Sequence, residues 1–381
     1  MEKTITELRV ERLASGLKDG EFLLVTDLKN VRYLSGYTGT SGIVLLSSAK
    51  AYFLTDFRYV EQAKIQCPHL ELVVHKPIVW DSVADLLGEA EVLYVEESNL
   101  TLASYNQLKS RIKAEIKEAK GPVEKLRMVK SPEEIELISI AARITDEAFM
   151  EICGMIKPGV TEMEIARELE FSMKRKGASH TSFDFIVASG PRGALPHGVA
   201  SDRVIQEGEF VTMDIGAVYQ GYHSDMTRTV AVGEVSAELK KIYDIVYKAQ
   251  MASLEAVAVG KTGAEIDKVA RDIIQEHGYG DYFGHSLGHG VGLDIHEGPR
   301  LSAASDTVLE ENMIITIEPG IYLPGRAGVR IELRCGGRCL RYLSEVLEQN
   351  HQISASLSAK PLETAAAVAR RHTSTSACPR R

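Results

Sequence analysis

Residues 1 to about 125 alternate short apolar runs with turn residues: EFLLVTD, SGIVLLSS, AYFLTD, LELVVH and EVLYVEES. Such runs, bounded by Gly, Ser and Asp, predict short buried strands. The polar stretches between them, RYVEQAKIQ and NLTLASYNQLKSRIKAEIKEA, are compatible with helices. The pattern predicts a small α/β domain. Gly121-Pro122 followed by a charged stretch breaks it and marks a boundary. In SPEEIELISIAARITDEAF, Ser131 can cap a helix, Pro132 suits its first position and Glu134 completes a capping box. Leu137, Ala141, Ile144, Ala148 and Ile152 then recur at helical spacing, so one face is buried and a second domain begins.

That second domain contains an internal echo. GVTEMEIARELEFSMKRKG (residues 159 to 177) and GKTGAEIDKVARDIIQEHG (residues 260 to 278) share Gly-x-Thr-x-x-Glu-Ile and close on Gly at the same distance, 101 residues apart. Each predicts a capping box (Thr161 with Glu164, Thr262 with Glu265), an amphipathic helix and a C-terminal glycine. Helix chemistry alone can produce such a match, but the segments after the two copies are also alike. TMDIGAVYQGYHSDMTRTV follows the first, and MIITIEPGIYLPGRAGVRIE the second. Both have the apolar alternation of a buried hairpin, interrupted by two carboxylates each. If the first turn centres on Tyr219-Gln220, Asp214 faces Asp225; if the second centres on Gly325, Glu318 faces Glu332.

Facing carboxylates in a low-dielectric core repel, so they must be protonated, expelled or bound to cations. Four of them converging imply two divalent metals. The alternative is a set of buried salt bridges to Arg228 or Arg330. GHSLGHGVGLDIHEGP (residues 284 to 299) places His285, His289 and His296 among glycines, where backbone can approach a ligand closely. LPHG adds His197 upstream of the first hairpin.

The chain has 381 residues, 44% of them hydrophobic and 25% charged, enough for two domains with substantial cores. Its formal net charge of −9 lacks the basic footprint of a general nucleic-acid binder or a polybasic membrane-surface protein. The first residues carry no apolar signal core and no run of 18 apolar residues occurs, so the expected compartment is the cytoplasm. Five dispersed cysteines do not form a disulfide framework, and Cys335 with Cys339 lacks a second ligand pair for zinc.

LPHG, DIGAVYQGYHSDMTRT, HSLGHGVGLDIHE, IEPGIY and GVRIE occur in this order, and together they resemble the signature of the pita-bread metallopeptidases, most closely the Xaa-Pro branch of prolidase and aminopeptidase P. VRYLSGYTGTSG and AYFLTDFRY are similar to the amino-terminal domain of that branch. The resemblance implies an α/β (α+β) architecture, a creatinase-like α/β domain over 1–125 followed by a pseudo-twofold pita-bread domain over 126–345; the atypical tail over 346–381, rich in Ala, Ser, Thr and Arg without a hydrophobic period, reads as disordered. It implies five metal ligands, Asp214, Asp225, His289, Glu318 and Glu332, around two divalent ions. Carboxylate-rich ligation with one imidazole favours Mn²⁺, with Co²⁺ or Zn²⁺ as alternatives.

The implied reaction is hydrolysis of the Xaa-Pro bond in dipeptides or short proline-containing peptides by a hydroxide bridging the metals. Glu318 is the expected general base, and His296 or His197 the donor to the developing oxyanion. Arg330 supports catalysis, while His285 and Tyr322 contact substrate. The branch also implies a homodimer; the acidic net charge argues against a nucleic-acid or membrane partner. Alternatives on the same fold are an aminopeptidase of other specificity and a non-catalytic binding module. After GVRIE the chain departs from the family pattern in LRCGGRCLRYLSEVLEQNHQ, as a frame disturbance or a lineage-specific extension would produce. That departure adjoins Glu332 and leaves an inactive chain as a further alternative.

Overall fold

The structure is a computed structural model that describes residues 3–335. The chain divides into two units, Met1–Arg127 and Met128–Arg381. The expected tail at 346–381, and all of the unusual segment after Cys335, lie outside the described residues.

The first unit is built on the apolar runs. Its six-stranded sheet runs, edge to edge, Glu71–Val74, Ala51–Thr55, Ile43–Ser47, Glu21–Val25, Val92–Val95 and Glu115–Glu118. The central strands are buried on both faces, which is why they read as continuous apolar segments rather than alternating ones. Glu96, at the end of one strand, accepts from the Thr26 and Asp27 backbone N–H groups (2.6 and 2.7 Å) and from Asn30 Nδ2 (2.7 Å).

The second unit repeats one theme twice. Helices Pro132–Ile152 and Glu162–Arg175 cover the strands Ile186–Ser189, Glu209–Ile215 and Met226–Val232 around one apolar core. Helices Ala237–Ala256 and Gly263–Glu276 pack with the strands from Gly288 onward around another. Both predicted capping boxes form, with Thr161 and Thr262 in closely matching backbone conformations (φ −88°, ψ 155° and φ −87°, ψ 157°). The echo extends beyond the helices. Gly159 N–H donates to Ile205 O at 3.1 Å, and Gly260 N–H to Leu309 O at 2.9 Å. Gly159 and Gly260 have φ of 91° and 90°, a conformation a side chain rarely adopts.

The first hairpin differs from expectation. Its turn is Gln220-Gly221, with φ of 45° and 78°, so Tyr219 pairs with Tyr222 and Asp214 with Thr227. A two-residue hairpin turn of this type needs positive φ at both positions, and shifting it by one residue brings glycine into the second. Asp225 therefore does not face Asp214 directly. It lies two residues before Thr227, which keeps it on the same face of the sheet. The second hairpin follows the predicted register: Gly320 pairs with Arg330 on one side of the glutamates, and Ile317 with Leu333 on the other. Strand Leu333–Cys335 pairs with Ile315–Ile317 along its whole length, so the three residues that follow Glu332 are held in a sheet.

Candidate metal centre

Four strand ends and the glycine-rich loop converge on one cluster. Single ligand atoms of Asp225, His289 and Glu332 lie within 4.8 Å of one another. His289 Nε2 is 3.5 Å from Asp225 Oδ2 and 3.3 Å from Glu318 Oε1. Nδ1 of the same ring lies 3.0 Å from the Gly290 carbonyl, which can only accept, so Nδ1 carries the proton. Nε2 then turns a lone pair toward two carboxylate oxygens, and burial lowers the ring's pKa to about 4, which keeps it neutral.

The carboxylates are similarly constrained. Burial, then the neighbouring Glu332, raises Glu318 well above the ordinary carboxylate value; Arg330 and a 3.2 Å hydrogen bond from Thr316 Oγ1 act in the opposite sense. Glu332, 1% exposed, accepts from Thr227 Oγ1 at 2.8 Å. Asp214 is held at Oδ2 by Arg330 Nη2 (2.5 Å), while its Oδ1 is buried without a hydrogen-bond partner. Four carboxyl groups around a ring lone pair, one of them with an unsatisfied buried oxygen, suit divalent cations between them.

Arg330 pairs with Asp214, whereas Arg228 is directed elsewhere: its Nη1 donates to the carbonyls of Thr227 (3.1 Å) and Glu332 (2.8 Å), and its Nη2 lies 3.8 Å from Asp146.

The remaining predicted residues surround this cluster. Arg330, 4% exposed, also donates to Thr227 Oγ1 (2.9 Å), Tyr322 Oη (3.0 Å) and the Pro196 carbonyl (3.1 Å). Tyr322 Oη lies 2.9 Å from His285 Nε2, and His285 Nδ1 donates to Ser286 O at 2.8 Å, so the phenol donates to the neutral ring. Burial lowers the pKa of His285 to about 4. His296 sets its ring edge-on to His289 at 4.4 Å between centroids; burial, then Arg300, lowers its pKa. His197 is exposed and joins the cluster through its neighbour Pro196, whose carbonyl Arg330 binds.

Several supporting residues carry no local sequence signal. Glu162 is fully buried and accepts from Ser189 N–H and Oγ (both 2.7 Å), from Ser201 N–H (3.1 Å) and Oγ (2.6 Å), and from Arg192, tying down both ends of the loop that bears His197. Lys130 and Glu297 form a buried ion pair at 2.5 Å beside His296. Gly193 and Gly328 meet backbone to backbone: a Cβ on Gly328 would lie 1.9 Å from Gly193 O. These partners are far apart in sequence, so only the folded chain reveals them.

The family model described as metallopeptidase family M24 matches residues 136–334, and that of the creatinase/prolidase N-terminal domain matches 9–129. A solved structure described as an Xaa-Pro dipeptidase from Bacillus anthracis is 50% identical, covers 87% of this chain and 95% of its own, and has a TM-score of 0.85. An Xaa-Pro dipeptidase from Pyrococcus furiosus is 41% identical over 85% of this chain and 93% of its own length. An X-Pro aminopeptidase structure from Thermotoga maritima is 40% identical, with coverage of 86% and 94% and a TM-score of 0.78.

Proposed function

The chain belongs to metallopeptidase family M24, with a creatinase/prolidase N-terminal domain ahead of the catalytic one, and on that footing we propose that it hydrolyses the Xaa-Pro bond of dipeptides and short peptides. The observation that carries the metal-site reading is His289 Nε2, deprotonated and aimed at carboxylates 3.3 and 3.5 Å away. Asp214, Asp225, His289, Glu318 and Glu332 would hold two divalent ions. Oxygen-rich ligation favours Mn²⁺ over Zn²⁺. When bound, such a pair polarises the scissile carbonyl and lowers the pKa of water.

The chain's own groups supply the rest. Glu318, set in the cluster with Oε1 3.3 Å from His289 Nε2, accepts the proton of the attacking water and passes it to the leaving imino nitrogen. His296 donates to the carbonyl oxygen as charge develops there, with His197 as the other candidate donor. Arg330 fixes Asp214 and orients Tyr322, whose hydroxyl is shared with His285; these two rings form the substrate-facing edge. The likeness to Xaa-Pro dipeptidases supports dipeptides as the first substrates to test, and the likeness to the Thermotoga maritima structure supports the second reading, an aminopeptidase on longer Xaa-Pro peptides. No described helix is long and apolar enough to cross a membrane. We place the enzyme in the cytoplasm as a homodimer, which sedimentation velocity would test.

The deciding assay compares Gly-Pro with Gly-Pro-Pro-containing peptides with and without Mn²⁺. Asp225→Asn should abolish full metal stoichiometry and turnover, and His296→Ala should cut turnover with metal retained. Full activity in Asp225→Asn overturns the dinuclear reading.

A further inference from the structure

The two long helices of the second unit start at corresponding caps, Ser131 and Ser236. Fourteen residues after each cap, on the buried face, stands a polar side chain with no exposed surface: Thr145 in one helix and Gln250 in the other. Burying a primary amide among apolar neighbours costs free energy unless its hydrogen bonds are made.

Gln250 makes those bonds to one place. Its Nε2 donates to Ile331 O at 2.9 Å and Ile317 O at 3.4 Å. These are the carbonyls of the residues immediately before Glu332 and Glu318. They lie where the sheet pairing of Ile315–Ile317 with Leu333–Cys335 gives way to that of Gly320–Leu323 with Ala327–Arg330. One amide thus spans the hairpin at the point where both glutamates leave it. Its Oε1 is buried with no hydrogen-bond partner, a cost an apolar side chain would not incur. Thr145 acts at the corresponding point of the other half. Its hydroxyl is 2.6 Å from Ser224 Oγ, which accepts from Ala217 N–H at 2.8 Å, and Ser224 immediately precedes Asp225.

We propose that Gln250 is a positioning residue of the metal centre, setting the spacing of Glu318 and Glu332 through the carbonyls behind them, and that Thr145 does the same for Asp225 through Ser224. The inference rests on the ligand set proposed above. Neighbouring carboxylates in a buried site repel one another until a cation arrives. A backbone clamp keeps their spacing in the metal-free chain, so less of the binding free energy is consumed in ordering the site.

The test is Mn²⁺ titration calorimetry on the full chain after chelation, with thermal unfolding recorded for each metal-free variant. Wild type is read first: if it binds no Mn²⁺, the proposed ligand set fails and this inference fails with it. With wild-type binding established, Gln250→Met is expected to weaken Mn²⁺ affinity ~10-fold or more, as loss of a ligand-orienting partner typically does. Thr145→Val should weaken it in the same direction. Ser253→Ala, a buried control whose hydroxyl bonds its own helix at Ala249 O (2.8 Å), should leave affinity unchanged. Wild-type affinity in Gln250→Met, even with a lowered melting temperature, would make it a packing residue and overturn the proposal. Should that variant fail to fold, Thr145→Val decides, with unchanged affinity again refuting it.

Discussion

Arg330 is the side chain whose loss the structure predicts to be most costly near the site, and that cost can be worked out. The residue is 4% exposed, and its guanidinium forks to Asp214, Thr227, Tyr322 and the Pro196 carbonyl. Arg330→Met removes the cation held at Asp214 Oδ2, whose sister oxygen is already buried without a hydrogen bond. Breaking a buried ion pair from one side costs about 3–5 kcal/mol, a large part of the roughly 5–15 kcal/mol that holds a typical protein folded. Arg330→Lys keeps a cation near Asp214 but cannot reach the other three acceptors together. At about 1 kcal/mol for each lost hydrogen bond, it should cost less than Arg330→Met. In an Asp214→Asn background the penalty of Arg330→Met should shrink by about 2 kcal/mol or more, because the amide needs no counter-charge. The measurement is urea unfolding in chelator by far-UV circular dichroism; Trp80, the sole tryptophan, belongs to the first unit and would report on that unit instead. Equal penalties for Arg330→Met in the two backgrounds would refute the account of Arg330 as the counter-charge of Asp214.

Two further outcomes follow from the same reasoning. Glu318 has a raised pKa in the fold, so its ionisation opposes folding increasingly as pH rises above the unfolded value near 4.5. The melting temperature of metal-free Glu318→Gln, relative to wild type, should therefore climb between pH 4.5 and 8, and a flat difference would show that burial does not perturb this group. Thr161→Ala and Thr262→Ala each remove a capping box of nearly the same geometry, so each should cost about 1 kcal/mol by denaturant unfolding; markedly unequal losses would argue against equivalent roles in the two halves.

Much of this cluster could be read along the chain because its carboxylates and His289 sit in segments whose local chemistry is explicit. Glycines and cap residues marked the helix ends, and Gly325 centred the second hairpin so that Glu318 and Glu332 met as expected. The first hairpin was placed one residue early because YQGY admits more than one turn, and the demand for positive φ at Gly221 chose between them. The face of Asp214 and Asp225 survived that shift, since moving the turn by one residue displaces the pairing by two and preserves strand alternation.

Sequence alone therefore determined the helix boundaries, the internal repeat and the identity of the carboxylates and histidines that gather. These depend on short-range rules: capping, alternation and the conformational freedom of glycine. Only the tertiary structure decided that Arg330 rather than Arg228 is the partner of Asp214, that Glu162 secures the loop of His197, and that Gln250 reaches the backbone behind two glutamates. A buried polar group must find a partner, but which one depends on how separate segments pack. No periodicity in the chain encodes contacts across 27, 67 or 116 residues.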